Sequence, residues 1–256
     1  MSSLAWVAYK TILRKEIQRF MRIWVQTLVP PVITMMLYFI IFGQLIGSRI
    51  GEMHGVSYMQ FIVPGLIMMS AITNSFSNVA SSFYSTKFAR NVEELLVSPT
   101  SPHIIILGYI SGGMARGIFV GFLVTLVSLF FVRFDVYSWL VIVGILLMTT
   151  ATFALGGLIN AVFARSFDDT SIIPTFVLTP LTYLGGVFYS ISLLPEFWQW
   201  VSKLNPIVYM INGFRYGFLG ISDVSLHYTF AVLSLFIIVL YYFVYQLIKR
   251  GVGLRN

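Results

Sequence analysis

Cysteine is absent from the 256 residues, which removes disulfide frameworks, thiolate metal sites and cysteine nucleophiles together and leaves the redox compartment unreadable. Histidine is nearly absent. His54, His103 and His227 stand far apart with no metal-ligand spacing, and each reads as a loop or interfacial residue. Charge is scarce as well, at 10% of residues, where soluble domains carry roughly 25%. No GxxxxGK[ST], HExxH or GxSxG motif occurs, so the chain shows no means of binding nucleotide or hydrolysing a bond, and we read it as no enzyme. Asp168 and Asp169 beside Arg165 could suggest paired carboxylates, but they fall in a short polar stretch that reads as a solvated, helix-capping turn.

What remains is apolar. Hydrophobic residues make up 58% and aromatics 16%, and the mean hydropathy is +0.88. A water-soluble fold of this composition would expose apolar faces it could not cover, so the bilayer is the solvent. The net charge of +7 therefore points to the cytoplasmic side and its anionic lipid, with no nucleic-acid partner.

A helix needs about 20 apolar residues to cross the hydrocarbon layer. Apolar runs of that order occur at 25–47, 57–81, 105–132, 138–163, 170–190 and 227–248, the third interrupted by Arg116. The fold class expected is therefore an all-α membrane protein of six transmembrane helices in one domain, 1–256. With the N-terminus inside, the cytoplasmic segments hold Lys10, Arg14, Lys15, Arg19, Arg22, Lys87, Arg90, Arg165, Lys249, Arg250 and Arg255, against Arg49, Arg133, Lys203 and Arg215 outside. That asymmetry predicts both termini in the cytoplasm. The first apolar run is far longer than the core of a signal peptide and follows a long basic stretch, so the first span is expected to be retained.

Within 1–24, Lys10, Arg14, Gln18 and Arg22 fall four apart, while Trp6, Tyr9, Leu13, Phe20 and Trp24 cluster on the opposite side. The pattern predicts a basic amphipathic helix on the cytoplasmic interface, either a membrane anchor or a lever joining a partner to the first span. The loop 83–103 turns Pro- and Ser-containing at Ser98, which predicts a short helix followed by a turn. Helical spacing there groups Phe88, Val92 and Leu95, with Lys87, Asn91 and Glu94 displaced from them. The segment 191–223 is too polar to span and too apolar for an ordinary loop. We expect it to enter the outer leaflet and return, capping the mouth with Trp198, Trp200, Tyr209 and Tyr216 at interfacial depth. Arg116 is the one ionisable residue read at membrane depth, where it snorkels or satisfies a neighbouring helix. With no carboxylate at that depth, transport would draw its energy from outside the chain. Gly144, Ala151, Ala154, Gly156 and Gly157 offer close helix approach in the fourth span.

RNVEELLVSPTSP from Arg90, PGLIMMS from Pro64 and above all LNPIVYMINGFR from Leu204 to Arg215 resemble the integral permease subunits of ABC type-2 exporters, across essentially the whole chain. The resemblance implies a half-transporter in the bacterial inner membrane. Two permease copies would work with two ATP-binding subunits, which carry the ATP and Mg, and this chain would hold no cofactor. It implies that the N-terminal helix and the loop after the second span contact the ATPase, with Lys87, Arg90, Asn91, Glu93, Glu94, Leu95 and Leu96 forming the coupling helix. Asn205, Pro206, Tyr209 and Arg215 would belong to re-entrant outer helices. The first, second and fifth spans would line the path, making Phe39, Asn74, Phe76, Asn78, Thr175, Thr179, Tyr183 and Phe188 the candidates. The cargo expected is hydrophobic or amphipathic. An ion-coupled secondary transporter and a structural subunit without transport are the competing readings.

Overall fold

The computed structural model describes residues 3–253. Arg255 lies outside the described residues, as do the side chains of Ser3 and Leu96. The chain begins with α1 (Ser3–Arg22), and a break at Ile23 leads into α2 (Trp24–Ile50). Pro30 and Pro31 stand in the first turn of the regular part of α2, where a missing N–H costs least. Its second half, Phe39–Ile46, is π-helical. A two-residue hairpin follows, β1 (Glu52–Met53) with β2 (Val56–Ser57). Positive φ at His54 and Gly55 gives the tight turn that joins such strands. The sequence reading, being all-helical, passed over this hairpin.

Ser57 and Gln60 cap one another's backbone amides and start α3 (Tyr58–Phe88). This helix is longer than the 57–81 run, because the polar residues expected to open a loop at 83 continue it for another turn and a half. Arg90, with a left-handed φ of 60°, ends that course and begins α4 (Asn91–Val97). Next come α5 (Pro102–Ser128) and α6 (Trp139–Phe163), close to the runs at 105–132 and 138–163.

Among the described residues, five helices are long and apolar enough to cross a membrane: α2, α3, α5, α6 and α10 (Leu226–Arg250). The run at 170–190 is built differently. Its helix, α7 (169–183), consists of two short α-helical pieces around a π-helical Pro174–Leu178. Pro174 and Pro180 each lack the N–H that a continuous ladder would use. Fifteen residues reach only about 22 Å, short of a roughly 30 Å hydrocarbon layer. Beyond it come a 3-10 turn at Ile191–Leu193, then α8 (Glu196–Lys203) and α9 (Pro206–Leu219).

α3 is the central post. In its most apolar stretch 83% of residues are buried, against 17% for α2 and 22% for α10, which leave broad faces open. Water does not drive helices together in a bilayer, so their association depends on how closely backbones approach. Gly113 and Gly117 bring α5 against Ser75, Val79 and Ala71 of α3, and Gly157 brings α6 against the backbone of Phe76. Gly108 and Gly112, on another side of α5, receive Ile12 and Glu16 of α1. The embedded side of α1 is consequently Ile12, Glu16 and Phe20, while Trp6 and Trp24, grouped with Phe20 by the sequence pattern, are exposed.

A Cβ at Gly157 would stand 2.3 Å from the Phe76 carbonyl oxygen, whereas one at Gly156 would meet the Phe76 ring at 3.4 Å. Gly157→Val should therefore lower the melting temperature in detergent by an amount equivalent to about 1–3 kcal/mol or more, and Gly156→Ala should leave it within error. Equal effects at the two positions, followed by thermal size-exclusion, would refute the backbone-contact reading.

Candidate functional site

Three constellations gather the polar and aromatic residues. The first lies where α3 ends. Lys87 Nζ donates to the carbonyls of Val162 (2.7 Å) and Ala164 (2.9 Å), capping the end of α6. Tyr84 donates to the Arg165 carbonyl at 2.7 Å. Lys87 is thus held inside the chain, while Arg90, Asn91, Glu93 and Glu94 are exposed. Val92 is buried and Leu95 half-buried, so these two seat α4 on the core. Phe88, grouped with them by spacing, stays exposed against Phe167, because Ala89 and Arg90 break the helix between Phe88 and Val92. A cleft of about 530 Å³ opens beside α4 between Lys87, Arg90 and Arg165. Asp169 closes the turn at the start of α7. The Arg165 amide first, then the Ser166 hydroxyl and amide, hold its carboxyl below the ordinary range.

Next to this, α1 is clamped to α3. Glu16 is fully buried and accepts from Ser82 Oγ at 2.5 Å. Arg19 donates to both the carbonyl and the side-chain oxygen of Asn78 at 2.8 Å, and its Nε lies 3.7 Å from Glu16. Sequence reading missed Glu16. The one carboxylate in an otherwise cationic helix was the available signal, and its burial follows from Gly112, whose missing side chain makes room for it. Arg116 Nη2 reaches the Thr27 carbonyl at 3.3 Å, so it satisfies a neighbouring helix.

The second constellation is the outer motif. Asn205 caps α9 by accepting from the Ile207 amide at 3.0 Å, and its amide donates to the Leu181 carbonyl at 2.6 Å. Pro206 occupies the first helical position, where no donor is needed. Tyr209 donates to the Lys203 carbonyl at 2.9 Å, fixing the bend between α8 and α9. Arg215, 1% exposed, donates to the carbonyls of Phe61 (3.1 Å) and Gly186 (2.6 Å) and contacts Asn212 at 3.4 Å. Its guanidinium lies 3.8 Å from the centre of the Phe61 ring. Asn212 accepts from the Asp223 amide, and the Asp223 carboxylate accepts from Ser190 Oγ and the Ile191 amide, with His54 Nε2 at 3.7 Å. One network thereby joins the hairpin, α3, the turn after α7 and α9.

The third is aromatic. Tyr38 and Tyr183 share a hydroxyl contact of 2.8 Å, and Phe188 packs on Phe42 with centroids 4.6 Å apart. Tyr58 donates to the Phe188 carbonyl. Thr175 is exposed on α7 about two turns before Tyr183, while the Thr179 hydroxyl is occupied by the Pro174 carbonyl. Phe39, Asn74, Phe76 and Asn78 are instead buried within the chain. Asn74 bonds the Ser70 carbonyl and Asn78 holds Arg19. Tyr38 and Phe42 were missed, though their spacing of four on one helix face was visible.

Residues 7–219 match the family described as ABC-2 type transporter. The chain is similar to the inner membrane transport permease YadH of Escherichia coli K12, 68% identical over 256 residues, which is all of each chain. It is also similar to nodulation protein J of Neorhizobium galegae, 25% identical over 218 residues, covering 84% of this chain and 82% of that one. Against nodulation protein J of Rhizobium meliloti 1021 the figures are 26% over 195 residues, 75% and 74%.

Burial raises the Glu16 carboxyl above its ordinary value of 4.5, with Arg19 and Ser82 opposing. The folded chain then holds a proton that the unfolded chain has released, so stability falls as pH rises from 4.5 through the raised value. Glu16→Gln should flatten that slope in thermal melts. Parallel slopes for the two proteins would sink the assignment. Arg215→Ala removes the donors that meet the Phe61 and Gly186 carbonyls and should cost about 2–6 kcal/mol, at about 1–3 kcal/mol per buried carbonyl, against about 1 kcal/mol for Tyr209→Phe, both read from melting temperature.

Proposed function

Because the chain belongs to the ABC-2 type transporter family, we propose that it is the permease subunit of an exporter, paired with a second copy of itself and driven by two separate ATP-binding subunits. The family places the chain among the membrane subunits rather than the ATPases, and its bacterial relatives and several apolar helices make it a multi-pass inner-membrane protein. The family likewise implies ATP-binding partners.

The observation that carries the reading is the seating of α4. Glu93 and Glu94 face outward, Val92 is sunk into the core, and Lys87 and Tyr84 tie the adjoining end of α3 to α6. A push on α4 from partners closing around ATP and Mg would be carried into α3 and α6 together, and through Glu16 and Arg19 into α1. α2 and α7, with open faces and π-helical stretches, are the elements free to move against that body. The path would open along them, past Thr175, Tyr183, Phe188, Tyr38 and Phe42, for a hydrophobic or amphipathic cargo. In this reading α7 and the turn after it form the fifth of six crossings, α8 and α9 enter the outer leaflet and return, and both termini are cytoplasmic. The chain contributes geometry and no reaction chemistry.

Two experiments test this. ATPase turnover of the partner in lipid should change on adding the permease, and Glu93→Ala with Glu94→Ala should abolish that response while the permease still folds. Turnover indifferent to the permease would leave a structural subunit without transport. Topology is accessible because the chain has no cysteine. A membrane-impermeant maleimide should label Trp198→Cys in intact cells and Glu93→Cys only after permeabilisation, and the reverse pattern would invert the orientation.

A further inference from the structure

The outward face of α1, apart from Lys15 and Arg19, takes no part in the contacts that join α1 to α3. Lys10, Arg14, Lys15 and Arg22 are exposed there and Arg19 is half-buried, while the one acidic residue of the helix, Glu16, is buried on the opposite side. Of these cations Glu16 reaches only Arg19, at 3.7 Å, which leaves Lys10, Arg14, Lys15 and Arg22 without an acidic partner on the helix. Thr11, Arg14, Lys15, Gln18, Arg19 and Arg22 line an open groove of about 560 Å³. Its character then changes in one direction only. A second groove of about 450 Å³ shares Arg14 and Gln18 but adds Val7, Leu13 and Ile17. One turn beyond Ile17, Met21 and Trp24 open a third groove of about 510 Å³, apolar throughout, between α2 and Phe119 and Leu123 of α5.

We propose that this face is a binding site for anionic phospholipid, with the headgroup phosphate held among Arg14, Lys15, Arg19 and Arg22 and an acyl chain lying in the groove between α2 and α5. Charge selects the occupant: a cationic cluster on an amphipathic helix attracts phosphate, and Arg can clasp it in bidentate fashion. The apolar side chains interleaved with the cations distinguish a lipid from an acidic protein surface, which would leave Val7, Ile17 and Met21 without a partner. Exposed Trp6 and Trp24 at the two ends of the face suit interfacial depth. Arg19 both lines the phosphate groove and holds Asn78 of α3, so a seated headgroup bears on the same side chain that clamps α1 to the central post. The site is independent of the exporter reading, since it needs no ATPase.

The test is native mass spectrometry of the purified full chain in detergent, titrated with dioleoyl phosphatidylglycerol or dioleoyl phosphatidylcholine. Wild-type protein should bind the anionic lipid preferentially, and millimolar inorganic phosphate should not displace it. Arg14→Gln with Arg22→Gln should weaken that binding about 25-fold, each lost cation contributing about fivefold. Arg14→Lys with Arg22→Lys should retain most of it, which guards against a folding defect in the first variant. Lys249→Gln with Arg250→Gln, neutralising the far end of α10, should change it little. Equal affinity for the two lipids, displacement by phosphate, or an equal loss from the α10 variant would each overturn the proposal. So would loss of ATPase association in the Gln variant with lipid binding intact, which would assign the face to the protein partner.

Discussion

Helices in a bilayer gain little from hiding apolar surface from one another, since lipid tails are as apolar as leucine, and what distinguishes contact from separation is the closeness of their backbones. In this chain that closeness is set by glycine at the surface of α3. Gly113 and Gly117 of α5 and Gly157 of α6 meet α3 where any side chain would collide with a carbonyl or a serine. Everything else is hung on the resulting three-helix core: α1 on the other glycine edge of α5, α4 on the end of α3, and α9 against α3 and α6.

Polar clamps stand at both ends of that post. Toward the cytoplasmic end, as the charge asymmetry orients it, Asn78, Ser82 and Thr86 engage Arg19, Glu16 and Lys15. At the other end, the Phe61 carbonyl engages Arg215. The residues between are mostly buried, apolar from Ile62 to Met69 and mixed with Ser70, Asn74 and Ser75 beyond. A rod clamped at its ends and tightly packed along its length moves as a unit, which is the mechanical property that a coupling element needs. α2 and α7 are tied at single points, by Arg116 at Thr27 and by Asn160 and Asn205 at Thr170 and Leu181, and both carry proline and π-helical turns. Rigidity and compliance are thus divided between parts of one chain.

A buried arginine with no carboxylate in direct contact is costly unless its donors are met. Arg215 meets them with backbone carbonyls, those of Phe61 and Gly186. Gly186, with a φ of 79°, turns its carbonyl toward the guanidinium. Phe61, Gly186 and Arg215 lie far apart in sequence and meet in space. Arg215 accordingly acts as a structural tie and would not be free to contact cargo in this conformation.

Much was legible without coordinates. Length of apolar run fixes the crossing helices, because the bilayer thickness and the helix rise leave little choice, and α2, α3, α5, α6 and α10 fall where the runs predict. The helix after α3 and the Asn-Pro start of α9 were readable because caps, prolines and charge breaks act locally. The interruption of α7 was written in Pro174 and Pro180 but outweighed by its apolar character. Facing was not legible. Four of the eight residues proposed to line a path are buried, and Glu16 is enclosed, because periodicity tells which side of a helix is apolar and not which neighbour will cover it. On a helix whose surroundings are lipid on one side and protein on another, both environments accept the same residues. Only the glycine contacts among α1, α3, α5 and α6 decide which face is closed, and they bring together residues 34 (Gly113 and Val79) to 96 (Gly108 and Ile12) positions apart. Composition and run length therefore determined that the chain lives in a membrane and where it crosses. Tertiary packing alone decided which polar groups became clamps and which aromatic residues remained free.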